Sequence, residues 1–168
     1  NWVFTYTRAL NLASEADAAI LTSAFWGALT LGRLLTIPIA LKVSPRNILI
    51  GDLAGCLVSI LVIILFPGSL AALWAGTLGL GFFMAAVFPT AISLAERFLT
   101  LTGSTTSWFF VGSSLGGMFL PWLVGQLFEP VGPRVVMFAL LGDLLLGVGI
   151  FALMMANARH LKKPAESA

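Results

Sequence analysis

Arg33 stands alone as a charge in an otherwise apolar run, residues 18–41. It precedes Lys42 by roughly nine residues, which at 1.5 Å per helical residue puts it about 13 Å inside the run. A guanidinium that deep in hydrocarbon costs about 2.5–3.5 kcal/mol on insertion scales, so it calls for a cavity or a partner. Asp52 sits about six residues past Arg46, at a similar depth on the next run, and Glu96 lies near the end of the third. Arg33 therefore lines a pathway or closes a gate by pairing with Asp52 or Glu96; the other reading is a static ion pair that fixes helix packing. Asp143 follows Arg134 by about nine residues and sits near the middle of the last run. It is a candidate for holding a coupling proton or ion, or a structural group kept neutral or paired.

Thr22, Trp26, Thr30 and Arg33 recur at helical spacing and share one face. An indole packs on the apolar face of a sugar while hydroxyls and a guanidinium bond its polar edge, so the stripe could line a solute site. Thr22 and Trp26 could equally be interfacial anchors. Gly112 with Gly116, and Ser113 with Gly117, form small-residue pairs that let helices approach closely. Gly76, Gly79 and Gly81 read the same way, with Phe82, Phe83 and Phe88 beside them. Pro38, Pro89 and Pro121 lie inside apolar runs and are expected to kink or break helices. Cys56 is the single cysteine and reads as a buried thiol, and the single histidine, His160, as a solvated one. No HExxH, GxSxG, P-loop or Cys/His metal spacing occurs, so no enzyme and no cofactor is expected.

These residues must be held by membrane-spanning helices. Hydrophobic residues make up 59% of the 168-residue chain and charged residues 10%, with mean hydropathy +1.02. A soluble domain is about 25% charged, so lipid must solvate much of this surface. The fold class is all-α membrane protein, with spans at 18–41, 47–66, 70–94, 105–128 and 133–158. Residues 1–6 read as the end of a sixth span and 159–168 as a tail. The runs are too long for strands and do not alternate. Ser44-Pro45, Pro67-Gly68-Ser69, Gly103-Ser104 and Glu129 to Pro133 mark the joints. Lys42, Arg46, Arg97, Arg159, Lys162 and Lys163 collect on one side, Arg8 and Arg134 on the other. The positive-inside rule makes the first side, with the C-terminus, cytoplasmic. The net charge of +2 comes from residues at span ends and gives no nucleic-acid face.

Three blocks repeat in order. Leu31-Gly32-Arg33 corresponds to Leu115-Gly116-Gly117, Ser44-Pro45-Arg46 to Gly132-Pro133-Arg134, and Gly51-Asp52-Leu53 to Gly142-Asp143-Leu144. Arg46 and Arg134 fall on opposite sides, so the copies are inverted units of three helices each, as in secondary transporters. Chance similarity between apolar helices with Pro-Arg turns is the alternative.

The run from Phe25 to Leu35, Phe-Trp-Gly-Ala-Leu-Thr-Leu-Gly-Arg-Leu-Leu, followed by Lys42-Val43-Ser44-Pro45-Arg46, resembles the eighth helix and next inner loop of a major facilitator superfamily transporter. Trp2 to Tyr6 resembles the outer end of the seventh. The resemblance covers essentially the whole chain as the C-terminal six-helix half, and is to the branch of fucose permeases and sodium-dependent glucose transporters. The inner loop departs from the superfamily's Asp-Arg-x-Gly-Arg-Arg form. The resemblance implies two six-helix bundles rocking about a central site, with helices seven, eight, ten and eleven lining it and nine and twelve facing lipid. Trp26, Thr30, Arg33, Phe83 and Ser113 are then the candidate solute contacts. Asp143 falls on a peripheral helix, which favours its structural reading. The partners implied are a small-molecule solute, a coupling proton or sodium ion, the lipid bilayer and an N-terminal six-helix half. The expected function is a share in secondary active transport of a small polar solute such as a sugar, in a plasma or bacterial inner membrane. The alternative is a transporter-like protein with a structural or receptor role.

Overall fold

The computed structural model describes residues 2–100 and 102–157. Asn1, the end of the last expected span and the tail with Arg159, His160, Lys162 and Lys163 lie outside the described residues. The regular elements are α1 (Trp2–Ala9), α2 (Glu15–Ala40), α3 (Pro45–Leu65), α4 (Leu70–Met84), α5 (Val87–Ala95), α6 (Gly103–Val131) and α7 (Val135–Asn157). Taking α4 and α5 together, five helical stretches are long and apolar enough to cross a membrane.

Local chemistry sets the boundaries. Ser14 caps α2 by accepting from the Asp17 N–H, which draws Glu15 and Asp17 into the first turn, where acids complement the helix dipole. The helix therefore begins three residues before the expected apolar start at residue 18. Ser44 caps α3 through the Asn47 N–H, with Pro45 opening the helix. Ser69 caps α4 and Thr102 caps α6 in the same manner. Helix α6 continues through Pro130 to Val131, past the expected end at residue 128. It stops at Gly132, whose φ of 91° suits a residue without Cβ.

The three prolines behave differently. Helices α2 and α6 run on through Pro38 and Pro121, so the breaks considered there do not occur. Pro89 coincides with a real interruption, and the expected third span is two helices. A proline has no N–H to give the carbonyl four residues back, here that of Ala85. Pro89 falls in the first turn of α5, where a missing N–H is tolerated.

The spans alternate in direction, so the α2–α3 turn with Lys42 and Arg46 defines one end of the bundle. The turns at Asn11 and Gly132 define the other. Helix α4 packs on both α2 and α3, α3 also packs on α5 and α7, and α6 packs on α7. At the Asn11 end, Tyr6, Leu21, Ile63, Leu73 and Met137 bury together. Toward the Lys42 end, Leu49, Leu53 and Leu94 form a second cluster against Val148 and Phe151.

Candidate functional site

Glycines let α2, α3 and α4 close up. A Cβ on Gly81 would stand 2.6 Å from the Phe25 carbonyl oxygen, and one on Gly76 2.7 Å from that of Ser59. A Cβ on Gly32 would run into the Phe82 carbonyl. These contacts rotate α2 so that Leu21, Leu29 and Gly32 face inward. The Trp26 flank is thereby left outside.

Trp26 is 57% exposed and meets the edge of Phe25 with ring centroids 5.4 Å apart. Thr30 is exposed beside it, and its hydroxyl donates to the Trp26 carbonyl at 2.9 Å. Thr22 donates likewise to Ala18 at 3.0 Å. Such back-bonds use the hydroxyl proton and leave oxygen lone pairs able to accept.

Arg33 takes a different course. Its Nε donates to the Ala85 carbonyl at 3.4 Å, the carbonyl that Pro89 leaves without a helical donor. The break in α4–α5 is thus tied to α2 by a side chain. Neither Asp52 nor Glu96 pairs with Arg33, and among the described residues no ion pair forms. The gate pair expected from sequence is therefore not made in this conformation, because a backbone carbonyl takes the carboxylate's place. Glu96 is exposed just past α5, with its N–H on the Ile92 carbonyl. Asp52 keeps one carboxylate oxygen buried with no hydrogen-bond partner.

Arg33 opens onto a cavity of about 350 Å³ between α2, the start of α3 and α5, lined also by Thr36, Pro45, Ile48, Pro89 and Thr90. Phe83 lies elsewhere. Its ring covers Gly55 of α3, and it borders an apolar groove with Gly27, Leu31 and Gly79 that contains neither Trp26 nor Thr30. Ser113 is exposed on α6, where Val124 is the buried residue. A Cβ on Gly112, Gly116 or Gly117 would meet nothing, so the packing expected there is not made by this chain. Asp143 borders a cavity of about 280 Å³ with Leu53, Cys56 and Ile60.

The fold therefore leaves Trp26 and Thr30 on one exposed flank of α2, turns Arg33 toward the Lys42 end and sends Phe83 to α3. Ser113 stands apart on α6. The Ala85 carbonyl is not among the residues the sequence singles out. Its signal is Pro89 four residues on, a proline that releases an acceptor as well as bending a helix. Among the described residues no group of three His, Cys, Asp or Glu side chains gathers to hold a metal ion.

Known proteins are similar to this chain over much of its length. Sodium-dependent glucose transporter 1 of Danio rerio is 39% identical over 127 residues, which is 76% of this chain and 21% of the relative. Sodium-dependent glucose transporter 1A of Mus musculus is 35% identical over 156 residues, 92% of this chain and 36% of the relative. Major facilitator superfamily domain-containing protein 4A of Homo sapiens is 36% identical over 115 residues, 68% of this chain and 22% of the relative. The chain thus spans well under half the length of each. No family model and no solved structure matches it. The relatives are transporter-family proteins, not enzymes. The chain is an integral, multi-pass membrane protein that belongs to the major facilitator superfamily, in the branch of these relatives, and forms part of its helical bundle.

Proposed function

We propose that this chain is the C-terminal half of a secondary active transporter that moves a small polar solute, a sugar by likeness to its glucose-transporting relatives, by alternating access. The observation that carries the reading is α6. Along it Ser113, Ser114 and Gln126 are exposed, and neither serine hydroxyl makes a hydrogen bond with a described residue. Lipid cannot bond these groups, so they suit a polar cavity between this bundle and a second one. Trp26 and Thr30 on α2 supply the stacking surface and acceptor for the solute, and Ser113 on α6 a further hydroxyl.

Arg33 acts at the inner gate in this reading. It holds the α4–α5 break against α2, and a helix broken there can swing its inner part separately. Phe83 serves packing. Asp52 and Asp143 are the carboxylates of this half able to hold a coupling proton or sodium ion. The Lys42 end is cytoplasmic by the positive-inside rule, and the membrane is a plasma or bacterial inner membrane.

The test is uptake of labelled hexoses by the full-length protein in proteoliposomes under imposed sodium or proton gradients. Uptake that follows one gradient is expected, with Trp26→Ala and Ser113→Leu each lowering it about tenfold, or ~1.4 kcal/mol. A folded protein that moves no solute under either gradient would favour the receptor role. Unchanged uptake in both variants would remove the proposed lining.

A further inference from the structure

The cavity at Arg33 has a chemistry that the proposed solute contacts do not use. Its one cation is tied by Nε alone, over 3.4 Å, to a carbonyl of Ala85. A guanidinium carries five N–H donors, so the four on the terminal nitrogens remain, and no acidic residue lines the cavity. Asp52 lies one turn beyond Ile48 and Glu96 one turn beyond Ser93, and neither borders the space.

Two further positive features converge on it. Pro45 lines the cavity and is the first residue of the 21-residue α3, so the positive end of that helix dipole borders it. Pro45 has no N–H and Ser44 accepts from Asn47 and Ile48, so this end acts through its field and not through a row of free donors. Lys42 and Arg46 are exposed on the turn beside it. The remaining wall is mostly apolar, with Ile37, Ala40 and Ile48, and also includes Thr36, Thr90 and Ser93. A volume of about 350 Å³ holds a phosphate group with the first part of an attached chain.

We propose that this cavity binds a phosphate-bearing anion entering from the Lys42 end, with the phosphate on the Arg33 guanidinium and in the field of the positive end of the α3 dipole. The source is either the headgroup of an anionic lipid or a soluble phosphate. Guanidinium pairs two of its N–H groups with phosphate oxygens, which an ammonium cannot do. Bound there, the anion neutralises the charge that would otherwise stand alone in the membrane, and it fixes the side chain that holds the α4–α5 break. This holds whatever solute the protein moves.

The test uses the full-length protein in detergent, with thermal unfolding followed by tryptophan fluorescence. The probes are dioctanoyl-phosphatidylglycerol, inorganic phosphate, and dioctanoylglycerol as the phosphate-free control. A rise in Tm of about 2–4 °C with either phosphate probe and not with the control supports the site. A rise with phosphatidylglycerol alone names the lipid, and a rise with inorganic phosphate names the soluble anion. Arg33→Ala should abolish the rise and Arg33→Lys should retain part of it. Ala40→Trp, which fills part of the cavity from another lining position, should abolish it too, and native mass spectrometry should then lose one bound lipid or phosphate. No rise in the wild type overturns the proposal, as it would if a carboxylate from elsewhere in the protein filled the space. An undiminished rise in Arg33→Ala or in Ala40→Trp overturns it equally.

Discussion

Helices α4 and α6 carry the same kind of small-residue pattern and meet opposite fates. On α4, Gly76 and Gly81 press against backbone carbonyls of α3 and α2, and Gly79 meets the Ser59 hydroxyl. On α6, Gly112, Gly116 and Gly117 face open space. Small residues do not attract a neighbour; they permit one where packing and hydrogen bonding draw helices together. The α4 seam has its neighbours within this chain. The α6 face has room for a helix or a solute that this chain does not supply.

The largest effect should come from filling the closed seam. Gly76→Leu should destabilise the chain by about 3 kcal/mol, since its Cβ meets the Ser59 carbonyl and Ile63 on a packed helix. Unfolding of the purified protein in mixed micelles measures it, and a loss under half that size would mean that α3 and α4 can move apart cheaply. Gly81→Val should cost about 2 kcal/mol, because the Phe25 carbonyl cannot yield but the Phe25 ring can. Thr77→Val probes the same seam in the other direction. The Thr77 hydroxyl is buried without a partner, so removing it should stabilise by about 1 kcal/mol in the same assay. Gly116→Leu should change stability by no more than about 0.5 kcal/mol when this chain is studied alone. In the full-length transporter the same variant should impair uptake, and normal uptake would mean that the α6 face looks onto lipid.

Much of the architecture is legible in the residues, because it follows from local rules. Apolar run length gives the five spans, and Ser44-Pro45 writes the start of α3 directly. The rotation of each helix about its axis is less legible. Gly112-x-x-x-Gly116 and the Gly76–Gly81 stretch look alike in sequence, and only the position of neighbouring helices separates a filled seam from an open face. Arg33 is the sharpest case. Its depth in the run rightly signals a need for a partner, and Asp52 is the natural choice from side chains alone. The partner is a backbone carbonyl, which every residue has, made available by a proline four positions later. The placing of Phe83 is equally hard to read, since its ring follows the gap at Gly55.

The bond from Arg33 to Ala85 joins residues 52 apart in the chain. At synthesis rates of about 5–20 residues per second, Arg33 emerges roughly 3–10 s before its acceptor exists. During that interval α2 carries an uncompensated charge and is best placed near the headgroups, with its guanidinium reaching back to water. The bond predicts an order of biogenesis: α2 should settle to full depth only when α4 and α5 arrive. A nascent chain arrested before Ala85 has emerged should hold α2 in the bilayer less firmly than one arrested after Pro89. On that expectation, the proline that interrupts the third span helps to complete the insertion of α2.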